Sequence, residues 1–229
     1  MKTVFAKFST EAPRTRLIND YLFDSKKKSY LEIGVRCGAN FFQVNASRKI
    51  GVDPDYFFSK RSLLKAMLKR RNWFFKMYKM ESDHFFSKHE KTLQANGLDV
   101  VFIDGMHTYQ QSLKDAKNAL RFLNKDGVVV FHDCNPISEI ASQPNLPNEK
   151  INWNGDVWKT IFQFRQFSNS FECFTYDTDE GLGVIKVKSK FEEKLLSEIK
   201  YSEQIQDLDY NFLNQNRSSV IGLLEFTEK

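Results

Sequence analysis

Short apolar runs alternate with amphipathic segments along most of the chain. Five of these runs have the length of buried strands and lie at 30–33, 49–52, 76–80, 98–103 and 127–132. The last two, within LDVVFID and GVVVFHD, are continuous and suit parallel strands buried on both faces. Between them, apolar side chains recur at helical spacing at Leu113, Ala116, Leu120 and Leu123. Strands that alternate with helices predict an α/β fold, a doubly wound Rossmann-like sheet with helices on both faces.

The pattern changes after Asp133. Residues 134–156 contain three of the five prolines, with much Asn and Ser, and predict a long loop. Because this loop starts at the carboxyl end of a strand, where α/β sites lie, we expect it to act as a lid. A helix at 157–167 and strands at 171–176 and 182–188 then complete a mostly parallel, seven-stranded sheet with a C-terminal antiparallel hairpin.

Composition places these elements in one main domain. The 229 residues are 41% hydrophobic and 28% charged, which is enough for one well-buried α/β core. We expect that domain at 1–188, followed by a polar, helical extension at 189–229. Near the start of the chain, residues 10–25 predict an amphipathic helix with Ser9 or Thr10 as its cap.

Targeting and cysteine patterns indicate a cytoplasmic protein. No stretch approaches the roughly 20 apolar residues that a membrane span needs, and Lys7 interrupts the N-terminal apolar pattern too early for a signal peptide. The three cysteines, Cys37, Cys134 and Cys173, form an odd number with no CxxC pair. This argues against a disulfide framework and a zinc cluster, so we expect reduced thiols.

The net charge of +5 is concentrated in one segment. No acidic residue lies between Asp55 and Glu81, whereas the basic residues there are Lys60, Arg61, Lys65, Lys69, Arg70, Arg71, Lys76 and Lys79. One interpretation is an anionic partner: nucleic acid, a phosphorylated substrate or a membrane surface. The other, which the sequence favours, is an amphipathic surface helix with Lys65 and Lys69 opposite an apolar face of Leu63, Leu64, Met67 and Leu68.

The segment from the first to the second strand has the form of a nucleoside site. Glu32 ends the first strand, the turn carries Gly34 and Gly38, and Asp53 ends the second strand. In such units the glycines let the backbone approach the ligand, and the acid accepts hydrogen bonds from ribose hydroxyls. Arg36 replaces the middle glycine of dinucleotide folds, which disfavours NAD and FAD. For the buried Glu32, an anchor for backbone donors is the alternative to ligand binding.

Seven short motifs occur in order over residues 30–186: LEIGVRCG, GVDPDY, MESDHFF, LDVVFIDGMHTY, GVVVFHDCNP, NGDVWK and DTDEGLGVI. With them the sequence resembles class I S-adenosylmethionine-dependent methyltransferases, in particular the branch containing macrocin O-methyltransferase and the cephalosporin-hydroxylase-like proteins. The resemblance implies that residues 1–188 are a methyltransferase domain that binds S-adenosylmethionine.

The same resemblance implies which residues bind the cofactor. Glu32, Gly34 and Gly38 would surround the methionine part, and Asp53 would accept from both ribose hydroxyls. At the adenine edge we expect Ser82 and Asp83, and Asp104 would also face the cofactor. A plain helix cap is the alternative for Ser82 and Asp83.

Acids and imidazoles follow the fourth and fifth strands. Methyl transfer from a sulfonium is an in-line displacement, so the enzyme must position an acceptor oxygen and help remove its proton. His107, close to Asp104, is our predicted base because imidazole accepts a proton near neutral pH. The alternative is a surface or loop-stabilising histidine. His132 and Asp133 end the fifth strand and should face the same cleft.

The resemblance also implies a metal. In metal-dependent relatives, carboxylates at the positions of Asp104 and Asp133 hold a divalent cation such as Mg²⁺, which lowers the pKa of the acceptor hydroxyl. Cys134 stands where an Asn or Asp ligand is usual, and thiolate is a poor ligand for Mg²⁺. Asn135 or water could substitute.

We therefore expect an enzyme that methylates an oxygen of a small molecule, such as a sugar hydroxyl in glycan or natural-product biosynthesis. Trp153, Asp156 and Trp158 are candidates for an acceptor wall, with packing of the following helix as the alternative. Two other functions stay open: a non-catalytic protein that binds the cofactor, and a nucleic-acid methyltransferase that uses the basic segment. The sequence lacks the Asn-Pro-Pro-Tyr type of motif of base-amino methyltransferases. It leaves a homo-oligomer open.

Overall fold

In the computed structural model, the described residues are 11–25, 28–145, 152–188 and 193–227. Eight strands form one sheet: β1 (Ser29–Ile33), β2 (Arg48–Val52), β3 (Phe75–Tyr78), β4 (Leu98–Ile103), β5 (Leu123–Phe131), β6 (Phe171–Tyr176), β7 (Leu182–Val187) and β8 (Leu223–Leu224). Their order across the sheet is β3-β2-β1-β4-β5-β7-β6-β8.

The strand directions confirm the predicted fold class. Strands β1 to β5 run parallel, while β7 is antiparallel to both β5 and β6. The sheet has one strand more than the seven predicted, because Leu223 and Leu224 in the C-terminal tail pair parallel with Thr175 and Tyr176. The domain boundary predicted at residue 188 stays a prediction.

Eight helices surround the sheet within the described part of the chain: α1 (Pro13–Asp24), α2 (Lys60–Met67), α3 (Ser82–Asn96), α4 (Tyr109–Leu120), α5 (Trp158–Arg165), α6 (Glu193–Glu198), α7 (Glu203–Gln206) and α8 (Tyr210–Val220). Helix α1 begins with Pro13, which suits a first turn because the missing N–H has no partner there. The predicted caps Ser9 and Thr10 lie outside the described residues. None of the described helices is long and apolar enough to cross a membrane.

Successive side chains of the central strands enter two separate apolar layers. In β4, Val101 and Ile103 join the layer beneath α3, α4 and α5, whereas Val100 and Phe102 join the layer that includes Leu17 of α1. Burial on both faces explains why the strand sequences are continuously apolar. Because β1 to β5 run parallel, their carboxyl ends share one edge of the sheet.

The two described parts of the predicted loop at 134–156 meet each other. The amides of Asn154 and Gly155 both donate to the carbonyl of Ala141, at 2.9 and 3.0 Å. Residues 146–151 lie outside the described residues, and the lid role stays a prediction.

Candidate active site

A cavity of about 610 Å³ opens at the carboxyl ends of β1, β2 and β4. Its lining includes five residues that the sequence predicted to bind a cofactor: Gly34, Asp53, Ser82, Asp83 and Asp104. We call it the Asp53 cavity. The other two predicted residues, Glu32 and Gly38, lie in the same strand and turn but do not line it.

The carboxylate of Asp53 is fixed by the backbone around it. Its Oδ2 accepts from the amide of Arg36 at 2.7 Å, and its Oδ1 accepts from the amide of Asp55 at 2.7 Å. Each carboxylate oxygen has a second lone pair, so both can still accept a hydrogen bond from a ligand. Asp53 is thus oriented towards the cavity before any ligand arrives.

Glycine is required at position 34 by a close backbone contact. Its φ is +85°, and a Cβ there would lie 1.9 Å from the carbonyl oxygen of Asp104. The turn after β1 therefore packs directly on the turn after β4. Gly38 has a different neighbour, because a Cβ there would meet the ring of Phe42 at 2.6 Å.

Glu32 is buried beneath this turn and bonded to other side chains. It accepts from the Tyr30 hydroxyl at 2.5 Å and from Asn40 Nδ2 at 3.0 Å. Burial raises the pKa of Glu32 to about 8, although these hydrogen bonds act in the opposite direction. Glu32 therefore anchors the turn through Asn40. This is similar to the alternative to ligand binding, an anchor for backbone donors, except that the donors here are side chains.

Polar groups of two helices meet at the far end of the Asp53 cavity. Ser82 is the first residue of α3, and its hydroxyl donates to Asp115 Oδ1 of α4 at 2.6 Å rather than capping its own helix. Gln111 Nε2 lies 3.2 Å from the same carboxylate oxygen. Burial raises the pKa of Asp115 to about 7. Sequence reasoning missed Gln111 and Asp115. Helical periodicity gives no signal for them, because neither lies in the apolar stripe of Leu113, Ala116 and Leu120.

A second cavity of about 720 Å³ adjoins the first, and we call it the Asp133 cavity. Both cavities are lined by Arg36, Asp104, His107 and Trp153. The Asp133 cavity alone is lined by Arg14, His132, Asp133, Asn152, Asn154 and Glu180. The predicted catalytic residues thus lie at the junction or in the second cavity.

His132 carries a positive charge among three carboxylates. Its Nδ1 lies 2.8 Å from Asp133 Oδ2 and 3.6 Å from Asp104 Oδ1, and its Nε2 lies 3.5 Å from Asp179 Oδ1. Burial lowers the pKa of His132, but the hydrogen bond to Asp133 and the nearby carboxylates of Asp179 and Asp104 outweigh it and raise the pKa to about 10. Near neutral pH it is therefore a cationic partner of these acids and has no lone pair to accept a proton.

Arg14 holds the far side of this charge cluster. Its Nε and Nη2 donate to the two carboxylate oxygens of Asp179 at 2.8 and 2.6 Å, and its Nη1 lies 3.5 Å from Asp104 Oδ2. Burial alone would raise the pKa of Asp179, but His132 and Arg14 depress it well below its usual range. Asp179 is therefore ionised.

His107 is oriented by Trp153. The two rings stack at 4.9 Å, and His107 Nδ1 lies 3.1 Å from the Trp153 carbonyl oxygen. Because a carbonyl can only accept, Nδ1 carries a proton, and Nε2 faces Asp133 Oδ2 at 3.3 Å and Asp104 Oδ1 at 3.5 Å. Burial lowers the pKa of His107, but Asp104 and Asp133 outweigh it and raise the pKa above its usual value.

The same residues have the chemistry of a divalent cation site. Ligand atoms of Asp104, His107 and Asp133 lie within 4.8 Å of one another. The Trp153 carbonyl fixes the tautomer of His107 with the proton on Nδ1. The lone pair of Nε2 then points towards the two carboxylates, as it does in histidines that bind metals. Close by, the buried Asn154 donates to Asp133 Oδ1 at 2.8 Å while its own Oδ1 has no hydrogen-bond partner. The residues therefore fit a cation bound by oxygen and nitrogen.

Neither Cys134 nor Asn135 joins this cluster. Cys134 is fully buried, its Sγ lies 3.5 Å from the His132 carbonyl, and burial raises the pKa of its thiol far above the usual value. The side chain of Asn135 donates from Nδ2 to Asp177 Oδ1 at 2.9 Å and accepts at Oδ1 from Arg217. The position after Asp133 therefore supplies packing rather than a ligand.

Comparison with known proteins shows what the strands and turns around these cavities are similar to. Residues 31–134 match a protein family described as a methyltransferase domain. This part of the chain is similar to methyltransferase domains. This confirms the predicted resemblance, and the matched residues extend from β1 to the end of the fifth strand, including Asp53, Asp104, His107 and Asp133.

Solved structures with a similar fold have low sequence identity to this chain. Cofactor-bound Rv0187 from MTB is 13% identical, covers 82% of this chain and 85% of its own, and has a TM-score of 0.54. The O-methyltransferase TomG from Streptomyces achromogenes, in complex with SAM, is 14% identical over 79% and 82% of the two chains, with a TM-score of 0.51. At this identity the likeness establishes the fold.

A curated relative covers less of the chain. The uncharacterized protein R132 of Acanthamoeba polyphaga mimivirus is 28% identical over 122 residues, which is 48% of this chain and 53% of that protein. The chain therefore matches about half of this relative's length.

Of the three candidates for an acceptor wall, Trp153 alone lines the two cavities. Trp158 is buried in the apolar core at the start of α5. The buried Asp156 accepts from the amide of Tyr109 at 2.6 Å and from Gln206 Nε2 at 2.9 Å. The packing alternative thus applies to Asp156 and Trp158, and Trp153 as part of an acceptor wall stays a prediction.

Proposed function

We propose that the chain transfers a methyl group from S-adenosylmethionine to a hydroxyl oxygen of a small molecule. The observation that carries this proposal is the junction of the two cavities at Asp104 and His107. Methyl transfer needs the sulfonium and the acceptor oxygen on opposite sides of one methyl group, with a proton acceptor beside the oxygen. Two adjoining cavities with an imidazole between them meet that requirement.

The Asp53 cavity suits the adenosyl cofactor. The Asp53 carboxylate has free lone pairs for two ribose hydroxyls, and at the other end Ser82, Asp83, Gln111 and Asp115 offer hydrogen-bonding groups to an adenine edge. The binding of SAM by TomG, which shares the fold, supports the same choice. S-adenosylmethionine has no pyrophosphate, so Arg36 in the turn is no obstacle to it.

The chain's own groups account for the proton. As the acceptor oxygen bonds to the methyl carbon, the carbon–sulfur bond breaks, S-adenosylhomocysteine leaves and the hydroxyl loses its proton. Neutral His107, with Nδ1–H on the Trp153 carbonyl, has Nε2 free to take that proton. Asp104 and Asp133, at 3.5 and 3.3 Å, then stabilise the imidazolium that forms.

A divalent cation is the second candidate for activating the acceptor. Asp104 and Asp133 would hold it, with His107 as a third ligand, and it would lower the pKa of a bound hydroxyl. His107 cannot bind a cation and accept the proton through the same nitrogen, so the two candidates make different predictions for His107 variants.

The lining of the Asp133 cavity supports a sugar as the acceptor. An aromatic ring, Trp153, stands beside the amides of Asn152 and Asn154 and the carboxylate of Glu180. An aromatic face packs on sugar C–H groups, while amides and carboxylates bond the hydroxyls that surround them. We therefore infer a sugar hydroxyl, in a glycan or a natural product, as the site of methylation.

Incubation with labelled S-adenosylmethionine tests the proposal. Separate fractions of glycans, lipids, nucleic acids and small metabolites serve as acceptors, and the proposal predicts label in glycans or small metabolites. Label confined to nucleic acid would support the alternative based on the basic segment. Cofactor binding without label in any fraction would support the non-catalytic alternative.

A further inference from the structure

The segment that follows Asp53 leaves an apolar and basic surface uncovered. We call it the α2 surface. Its apolar members are Leu63, Leu64, Met67, Leu68, Trp73 and Phe74, and its basic members are Lys60, Arg61, Lys65, Lys69 and Arg70. All of these side chains are exposed.

Helix α2 does not bury its apolar face as an amphipathic surface helix ordinarily does. Ala66 is its one buried residue, while Leu64 and Leu68 are 70% and 80% exposed. Leu63, Leu64 and Met67 lie on one side of the helix, so the exposed leucines form a continuous apolar stripe. Such a patch on a folded domain marks a surface that another molecule covers.

Two aromatic rings extend the stripe beyond the helix. Trp73 is 54% exposed and Phe74 is 79% exposed. The indole Nε1 of Trp73 donates to the Met67 carbonyl at 2.9 Å, which satisfies its polar atom and fixes the ring against the end of α2. Aromatic rings of this kind are enriched where proteins meet the interfacial region of a bilayer.

The charge of the same segment has one sign. Residues 56–80 contain eight basic residues and no acid. Within the described residues, Lys60, Arg61, Lys65 and Arg70 form no ion pair with an acidic side chain. The α2 surface therefore combines uncovered cations with uncovered apolar groups.

We propose that the α2 surface binds the protein peripherally to an anionic lipid bilayer. Phosphate headgroups would pair with the lysines and arginines, and Leu64, Leu68 and Trp73 would enter the boundary between headgroups and acyl chains. A nucleic acid would neutralise the cations but leave the aliphatic side chains in water. A second copy of the chain would bring like charges together, which is unfavourable. A bilayer provides phosphates for the cations and an apolar layer for the aliphatic and aromatic side chains.

Vesicle cosedimentation tests this surface without any methyl transfer, so its outcome is independent of the proposed reaction. The probes are vesicles of phosphatidylcholine alone and vesicles in which a quarter of the lipid is phosphatidylglycerol. The full chain should bind the anionic vesicles, release from them at high salt, and leave the neutral vesicles largely unbound. Equal binding to both vesicles, or none to either, would overturn the proposal.

Paired substitutions separate the charged and apolar contributions. Arg61→Gln with Lys65→Gln should weaken binding about 30-fold. Leu64→Ser with Leu68→Ser should weaken it at least tenfold, because about two leucine side chains lose their apolar contact. Lys91→Gln with Lys125→Gln, and Phe23→Ser, change exposed residues elsewhere and should bind as the wild type does. Circular dichroism checks that each variant is folded.

Tryptophan fluorescence gives a second measurement. Brominated acyl chains quench indoles that reach them. Trp73→Phe should remove most of the quenching, because Trp158 is buried in the core and Trp153 is stacked on His107 in the lining of the two cavities. Unchanged quenching in Trp73→Phe would contradict the proposal. So would oligonucleotides that bind more tightly than the vesicles, or a dimer in light scattering that Leu64→Ser with Leu68→Ser dissociates.

Discussion

At the scale of single residues, Asp53 and His107 have different roles in the proposed reaction. Asp53 is fixed by two backbone amides, and its proposed role is to bind the cofactor rather than to transfer a proton. His107 stands at the junction of the cavities, held by Trp153 and facing two carboxylates. Substitution of each should therefore affect a different measured quantity.

Replacing Asp53 by Ala should weaken binding of S-adenosylhomocysteine by about 1.5–3 kcal/mol, the range for hydrogen bonds to a charged group. Isothermal titration calorimetry measures this directly. Asp55→Ala is the matched control, because the side chain of Asp55 is 96% exposed and is paired with Lys79. Tighter binding of NAD than of S-adenosylhomocysteine would contradict the cofactor assignment.

Replacing His107 by Ala should lower the catalytic rate by about 10²–10⁴-fold and leave cofactor affinity nearly unchanged. The wild-type rate should rise with pH as His107 loses its proton, at a pKa above 6.5 because Asp104 and Asp133 stabilise the cation. This limb should be absent in the variant. The exposed His84→Ala serves as the control. Loss of cofactor binding or of folding in His107→Ala would show a structural role instead.

At the scale of elements, the ends of β4 and β5 bring Asp104 and Asp133 together. If a divalent cation acts there, Asp104→Asn and Asp133→Asn should abolish binding of Mn²⁺ in a calorimetric titration, and excess EDTA should abolish turnover. His107→Ala distinguishes the two candidate roles of His107. If His107 is a cation ligand, the variant should lose Mn²⁺ affinity, and if it is the base, Mn²⁺ affinity should be unchanged. Full activity in EDTA would exclude the cation.

The turns after β1 and β4 pack on each other through Gly34. Gly34→Ala should destabilise the protein by about 2 kcal/mol or more, since it adds a positive φ for a non-glycine residue and a clash with the Asp104 carbonyl. Gly105→Ala is the matched control, because its nearest neighbour would be the Ile33 side chain at 3.3 Å. Chemical denaturation measures both. Equal stability of the two variants would contradict this account of the turn.

At the scale of the whole molecule, Arg14, His132 and Asp179 join three distant parts of the fold. They belong to α1, the end of β5 and the turn before β7. His132 has a pKa of about 10 in the folded protein and about 6.5 when unfolded. Its stabilising contribution is therefore complete below pH 6.5 and is lost as the pH rises towards 10.

Denaturation at pH 6.5 and near pH 9.5 tests this link. The wild type should lose at least about 1.4 kcal/mol more than His132→Gln between these values, since one unit of pKa shift corresponds to that amount. Groups that do not interact with His132 titrate equally in both proteins, so their contributions cancel in the difference. The same pH dependence in wild type and variant would show that His132 is not held as a cation in the folded state.

The sequence by itself determined the local elements and the positions that chemistry occupies. Strands such as 98–103 could be predicted to the residue, because a strand buried on both faces must be apolar throughout. Acids at strand ends, such as Asp53, Asp104 and Asp133, could be assigned to one edge because parallel strands place their carboxyl ends together. These inferences need only periodicity and strand direction, which are properties of neighbouring residues.

Only the tertiary structure decided what surrounds those positions. Arg14 and Asp179 are 165 residues apart and meet at the site, and the buried Asn154 comes from a loop with no regular pattern. Cys134 follows Asp133 in the chain but points into the core. Helix α2 has a clear apolar stripe, yet that stripe faces outward. Periodicity defines the faces of an element, whereas the packing of distant segments determines what each face contacts.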